Sequence, residues 1–397
     1  MSVPVFDAIA PDLTILDPLK AQSDPALSTL GEALNPEKVL QQFQQLYQFR
    51  QVDTAWPWRF GRLSQKESEN LDLFPRVLKQ ITVDRHCPGS HCWVNYQWVK
   101  PDDPNWAYTV LGKLSAKRLD PYAYQVQRLL WCSGFEDQSP DNVSVPEPLG
   151  TCDNLHQWLQ RHIPGIAASD TLPGFDGMHL VERIAQALHK LHQTTLDIQP
   201  SNPVRPEPGT LLPGTPLQPR LKHHSLVSEF KRLHHQLQIL TERHPQWETR
   251  LLTLWQYCLQ LGYKLGSDIA IGPKRLIHGN FHADQVLRVG RRLYLIDLEQ
   301  VCWGDPALDV GCFLGHLVEQ GLRSMGYSLA LKPMGDRFTQ TFLDLHTQHL
   351  DLDQLNALQQ RIQFITSLSL VQQLVLSSNR PVRQLFTEDL LYLCESR

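Results

Sequence analysis

The hydrophobic pattern changes period once along this chain, and that change constrains the fold class more than any other feature. From about residue 77 to residue 114 the chain reads as strands. Val77 to Val83, His91 to Val99 and Trp106 to Leu114 are rich in aromatic and β-branched residues. The turn sequences Pro88-Gly89-Ser90 and Pro101-Asp102-Asp103-Pro104 separate them, as in antiparallel strands joined by short returns. Beyond about residue 175 the apolar step becomes three or four. Val181, Ile184, Ala185, Leu188 and Leu191 form one such stripe, and Leu226, Phe230, Leu233, Leu237 and Leu240 form another. Those are amphipathic helices. A strand block followed by a helix block predicts an α+β protein, with a small antiparallel-sheet N-lobe and a large helical C-lobe. A chain of 397 residues is too long for one ordinary core, and a cleft between two lobes is the default ligand site.

Residues 1–36 are polar and proline-punctuated and read as an extension with one short helix. Asn35-Pro36-Glu37 is a helix start, with a cap residue, proline at the first position and an acid in the first turn. That helix runs to Tyr47. The N-lobe is expected over 37–160 and the C-lobe over 161–397. Tyr122 to Trp131 reads as a helix stopped by Ser133-Gly134, and Val143 to Pro146 as a short strand. Leu155 to His162 is either a strand or a connector. Residues 200–219 hold seven prolines, an extended insert. Leu251 to Leu265 and everything after Cys312 read as helical.

Composition narrows the classes of function. A formal net charge of −4 leaves no basic footprint for nucleic acid or for a membrane surface. No apolar run approaches the roughly 18 residues of a membrane-spanning helix. The start lacks the basic segment of a secretory signal. Eight cysteines without a C-x-x-C pair argue for reduced thiols in a cytoplasm rather than a disulfide or zinc framework. The pairs His223-His224 and His234-His235 read as solvated helix faces, since adjacent helical residues point apart. Trp56, Trp58, Trp93, Trp98 and Trp106 read as packing residues of the first lobe.

Within the helical block lies His278-Gly279-Asn280-Phe281-His282-Ala283-Asp284-Gln285, between short strands at Arg275–Ile277 and Leu293–Ile296. Asp297 follows the second strand. Phosphoryl transfer needs positioning and charge neutralisation, oxygen ligands for Mg²⁺ and a group that orients the attacking hydroxyl. Asp297 and the amide oxygen of Gln285 are candidate metal ligands. Glu299 is either a second metal contact or a solvated acid. Lys113 is a candidate phosphate partner, with Lys117 as the neighbouring alternative. The amides of Gly89 and Ser90 either lie over phosphates or simply close a hairpin. There is no Gly-x-x-x-x-Gly-Lys-[Ser/Thr], so P-loop chemistry has no support.

These segments resemble the aminoglycoside phosphotransferase and choline kinase superfamily, which has the protein-kinase-like fold. The resemblance covers roughly residues 75–345. It rests first on His-Gly-x-x-His-x-x-x-Val-Leu with Ile296-Asp297 about a dozen residues on. It rests next on Gly304-Asp305-Pro306-Ala307-Leu308-Asp309, and on Leu130 to Phe135 and Ala187 to His192. The resemblance implies a two-lobed kinase-like fold and ATP as phosphate donor. It implies Mg²⁺ held by Asp297, and a catalytic loop stiffened by Asp309 through backbone hydrogen bonds. His278 and Asn280 then lie at the catalytic positions, with His278 ordering the loop.

Three positions depart from the family. Asn280 stands where the family has its catalytic aspartate. Gln285 replaces the metal-binding asparagine. The helix from Tyr122 to Trp131 offers Gln125 and Gln127, but no acid, to pair with Lys113. The expected function is transfer of the ATP γ-phosphate to a hydroxyl of a small molecule, with weakened general-base help. The alternative is a pseudokinase that binds nucleotide or a partner without turnover. Residues 1–36 or 200–219 are the segments through which a protein partner is expected to be recruited.

Overall fold

The computed structural model describes residues 6–52, 76–196, 221–265, 274–347, 350–379 and 381–396. The Pro-rich insert and Trp56 and Trp58 lie outside the described residues. The chain divides into two compact units, one holding the described residues up to 164 and the other those of 165–195 and from 221 onward.

The first unit is built on a six-stranded sheet. Its strands are β1 (Phe6–Leu16), β2 (Arg76–Cys87), β3 (His91–Lys100), β4 (Asp103–Ser115), β5 (Pro148–Cys152) and β6 (Gln157–Arg161), in spatial order β1-β2-β3-β4-β6-β5. All neighbours are antiparallel except β1, which runs parallel to β2. The unit also holds helices α1 (Pro36–Val52) and α2 (Tyr122–Leu130) and the expected short strand at Val143–Ser144. The expected start of α1 is present, with Asn35 Oδ1 accepting from the Glu37 and Lys38 amides at 3.0 and 3.2 Å. Leu155 to His162 resolves as strand β6.

The expected extension departs from its reading. Phe6–Leu16 is a full strand of the sheet, while the expected short helix is present at Leu30–Ala33 and packs, with Leu27 and Leu34, against Leu78, Ile81 and Trp98. Two register shifts interrupt β1, one of them between Ile9 and Thr14. Pro11 lies in that gap, which breaks the alternation by which a strand is recognised. Trp98 is fully buried, in keeping with a packing role.

The second unit is mainly helical: α3 (Gly177–Gln193), α4 (Leu226–Arg243), α5 (Glu248–Leu265), α6 (Pro306–Met325), α7 (Lys332–His346), α8 (Leu352–Ser378) and α9 (Thr387–Glu395). Asp305 caps α6 by accepting from the Ala307 amide at 2.9 Å, with Pro306 in the first turn. Asp351 and Gln354 form a reciprocal capping box on α8. Gly311 lets α6 approach α8 closely. A Cβ there would lie 2.6 Å from the Ile365 side chain.

Small strands carry the polar loop. β7 (Ile166–Ala167), β9 (Val286–Val289) and β10 (Arg292–Leu295) are antiparallel neighbours. β8 (Arg275–Ile277) pairs with β11 (Cys302–Gly304) in a separate ribbon. β9 was not foreseen as a strand. Its tight return at Gly290, where φ is +57°, makes a hairpin with β10. This arrangement, an antiparallel-rich sheet followed by a helical unit, is the two-lobed kinase-like α+β fold.

Candidate active site

The loop is fixed by one buried carboxylate. Asp309, in the first turn of α6, is fully buried. Its Oδ2 accepts from the His278 amide at 2.7 Å and from His192 Nε2 at 2.8 Å. Its Oδ1 accepts from the Gly279 amide at 2.9 Å. The expected stiffening of the loop by Asp309 is therefore present, and His192 of α3 contributes to it. Gly279 has φ of +79°, and a Cβ on it would sit 2.4 Å from the Gln300 carbonyl oxygen. Only glycine fits that close approach with that backbone. Phe281 is fully buried and stacks on Phe313 of α6 at 5.7 Å. Both ends of the Asn280 peptide are thereby held. Its own side chain is half-buried and makes no hydrogen bond among the described residues.

His278 is buried, and its Nε2–H donates to the Ile296 carbonyl at 2.9 Å. That bond ties the loop to the residue before Asp297. Its geometry is that of a group ordering the loop, not of one meeting a substrate.

The β9–β10 hairpin brings the metal-ligand candidates together. Val286 pairs with Leu295, and the Ile296 amide donates to the Gln285 carbonyl at 3.0 Å. Gln285 is thus set beside Asp297. Gln285 Nε2 donates to Asp297 Oδ2 at 3.0 Å and reaches His282 Nε2 at 3.2 Å. Asp297 is exposed and adopts a left-handed backbone, φ 60° and ψ 53°. Aspartate tolerates this conformation better than most residues, and strained backbone of this kind gathers at functional sites. Glu299 follows in the turn Leu298–Gln300 and is half-buried.

His282 belongs to the loop motif and reads from sequence as structural, whereas His316 was not singled out. Their rings stack at 4.2 Å with 5° between planes, and His316 Nε2 meets Gln373 Nε2 at 2.7 Å. Burial pushes the His282 imidazole down to about 4, against the opposing pull of Asp284. It is therefore neutral near pH 7, and its Nε2 can accept from Gln285. The signal for this stack was weak, since the two histidines lie on separate elements.

The donor set fits a hard cation. Asp297 and the amide of Gln285 are oxygen groups side by side. Rotating the Gln285 amide by half a turn presents its oxygen, because amide orientation follows the hydrogen-bond network. The His282 tautomer can follow, since its buried Nδ1 has no hydrogen-bond partner. Among the described residues no three His, Cys, Asp or Glu side chains group to hold a metal. Mg²⁺ takes one or two protein carboxylates and completes its shell with phosphate and water oxygens.

The other candidates belong to the first unit. Lys113 lies on β4, while Lys117 lies beyond its end and is exposed. The Lys113 side chain is buried between Trp93 and Trp158, its register neighbours. Its Nζ is 5.2 Å from the Trp93 ring centre, a cation–π distance. Gln127 does not turn to it. Gln127 Nε2 donates to the Pro146 carbonyl at 2.7 Å and to Gln160 Oε1 at 2.8 Å.

Gly89 and Ser90 depart from the phosphate-loop reading. The Gly89 amide donates to Asp24 Oδ2 at 2.7 Å, and the Ser90 amide to the Cys87 carbonyl at 3.0 Å. Ser90 Oγ meets His91 Nδ1 at 3.0 Å. Three residues connect β2 to β3, and in this conformation both amides are engaged within the protein. The simple hairpin turn describes them. The expected helix-face placement holds for His234 and His235 but not for His223 and His224, which precede α4, with His223 bridging to Trp303. His224 faces Glu229 at 3.3 Å, and His234 packs on Trp255 at 4.8 Å.

Comparison with known proteins gives a family and a fold. No curated protein matches the chain. Among solved structures, aminoglycoside 2′-phosphotransferase-IIIa in its GDP complex is 14% identical with a TM-score of 0.50, covering 80% of this chain and 93% of that one. Spectinomycin phosphotransferase APH(9)-Ia, in complex with ADP and spectinomycin, has a TM-score of 0.48 at 14% identity, covering 80% and 84%. A Plasmodium vivax ethanolamine kinase has 0.48 at 11%, covering 80% and 82%. At these identities the likeness concerns the fold. The family profile described as phosphotransferase enzyme family (APH) matches residues 119–330. That span contains the loop, Asp297 and Asp309, and begins after Lys113, Gly89 and Ser90. With more than half of its length matched, and with the Asp309-held loop inside the match, the chain belongs to the phosphotransferase enzyme family.

Proposed function

We propose that this protein transfers the γ-phosphate of ATP to a hydroxyl of a small molecule. Asp297 and Gln285 hold Mg²⁺, Lys113 contacts the phosphates, and Asn280 positions the acceptor. The observation that carries this reading is the contact of Gln285 with Asp297 at 3.0 Å, in a loop whose backbone Asp309 pins at two consecutive amides. Bound Mg²⁺ supplies charge neutralisation at the phosphate oxygens. The free amide of Asn280 can accept a hydrogen bond from the acceptor hydroxyl through its oxygen and so orient it. An amide is not a base near neutral pH, so the hydroxyl proton passes to a phosphate oxygen as the bond to phosphorus forms and ADP leaves. His278 orders the loop through Ile296. Glu299 stands one residue from Gln300, on which Gly279 packs, and is a further candidate for the metal.

The first test is thermal unfolding of the full chain with and without Mg-ATP. Binding to the native state raises the Tm. No shift at millimolar Mg-ATP would remove the nucleotide from the proposal. Transfer from labelled ATP to a panel of alcohols, amino alcohols and sugars then tests turnover.

A second reading is nucleotide binding without turnover. Asn280, together with the engagement of Gln127 away from Lys113, favours it. Asn280→Asp separates the two. General-base help is worth about 100- to 10,000-fold, so the variant should gain rate within that range. A wild type already as active as the variant would exclude the second reading.

A further inference from the structure

The helical unit contains a cavity of about 780 Å³, within the roughly 300–1,000 Å³ of small-molecule sites. Its body is apolar, formed by Leu226, Phe230, Leu259, Phe364 and Ile365. Phe230 and Phe364 are in ring contact, with centres 5.9 Å apart. Its polar wall contains Lys274, Asp305 and Arg361. Gly304 pairs with Arg275 and Cys302 with Ile277, so Lys274 and Asp305 stand at one end of the β8–β11 ribbon. His278 and the polar loop stand at the other. About 10 Å of strand, three residues at roughly 3.3 Å each, separates the two ends. This polar wall is therefore not the Asn280 position.

Arg361 is 7% exposed. Its Nε donates to Asp305 Oδ2 at 2.7 Å. Its two Nη groups make no hydrogen bond among the described residues. The other Asp305 oxygen caps α6. The nearby carboxylate of Glu229 is taken by His224 and Arg232. Lys274 is exposed and has no ion pair among the described residues. The Nη donors of Arg361 open onto the cavity rather than being sealed from water, so an acceptor that enters it can take them. The paired donors match a carboxylate.

We propose that this cavity binds an amphipathic organic anion, a carboxylate with an aliphatic or aryl body. The carboxylate takes the Nη donors of Arg361 and the Lys274 ammonium. The body rests on the Phe230–Phe364 pair and fills the apolar volume. Acetate has the charge without the body, and an alcohol of the same length has the body without the charge, so both fall short.

The experiment is calorimetric titration of the full chain, without nucleotide, using 3-phenylpropionate and octanoate. Acetate, 3-phenylpropanol and octanol are the controls. The carboxylates should bind about 10- to 100-fold more tightly than the matched alcohols, and acetate should give no binding. Lys274→Met, at an exposed position, should cut the preference for the carboxylate by about three- to fivefold and leave the alcohols unchanged. Leu259→Trp, at the rim, should weaken acids and alcohols together by occupying the apolar volume. Failure of both carboxylates to bind at millimolar concentration overturns the proposal. So does equal binding of acid and alcohol, or a preference unchanged in Lys274→Met. Because nucleotide is absent from the titration, its outcome is independent of whether the chain turns over ATP.

Discussion

Replacing Asp309 by Asn tests the central structural claim, that one buried carboxylate holds the loop. The side chain keeps its size, so packing against α3 is preserved. The hydrogen bonds are not. Asp309 Oδ2 serves both the His278 amide and His192 Nε2, and Oδ1 serves the Gly279 amide. An asparagine can keep its oxygen on the two-donor side. Its NH₂ then faces the Gly279 N–H, donor against donor. One bond to a charged group is lost, about 1.5–3 kcal/mol, and a buried donor is left unsatisfied, about 1–3 kcal/mol. The expected loss of stability is about 3–5 kcal/mol. Urea unfolding followed by helical ellipticity measures it, with an unchanged slope as the check that only stability moved. Hydrogen exchange localises it, with protection lost at the His278 and Gly279 amides ahead of the rest of the unit. Asp336→Asn is the control, since its pair with Lys332 is exposed and worth about 0–1 kcal/mol. An Asp309→Asn protein that loses less than about 1 kcal/mol, or keeps both amides protected, refutes the reasoning.

Other expectations follow from the same geometry. Gly279→Ala meets the Gln300 carbonyl at 2.4 Å in a left-handed backbone. It should cost about 2–4 kcal/mol in urea unfolding, and a loss under about 1 kcal/mol would show that the loop is looser than described. The Gly89 amide, and next His86, hold the Asp24 carboxyl below its ordinary value of 3.8. A lowered folded value means that this contact stabilises fully above the usual carboxylate range and is lost as pH falls through the folded value. Asp24→Asn should therefore flatten the acid limb of the pH–stability curve, and an unchanged limb would contradict the anchor. Asn280→Asp should leave urea stability unchanged while raising any transfer rate, because its side chain has no hydrogen bond to lose among the described residues.

Much of this protein was written locally. Asn35-Pro36 starts α1 and Asp305-Pro306 starts α6 because a cap needs only an acceptor and its next few amides. The stripe from Val181 to Leu191 became the buried face of α3, and the aromatic runs became β3 and β4, because period alone sets which face is apolar. The family segments placed the loop, Asp297 and Asp309 in order, and the short β9–β10 return was enough to bring Gln285 to Asp297. Other features needed the folded chain. β1 pairs with a strand more than fifty residues later, and its broken alternation hides it. The Gly89 amide, which sequence offered to phosphate, is taken by Asp24, 65 residues earlier. Gln127 turns to Gln160 rather than to Lys113, and His282 stacks on His316 of α6. Arg361 meets Asp305 from 56 residues away and lines a cavity with donors to spare. Propensity, capping and period act within a few residues, so the sequence by itself determined the elements and the order of the motifs. Hydrogen-bond partners and cavities join residues that are distant along the chain, so only the tertiary structure decided which polar groups were already satisfied and which remained free.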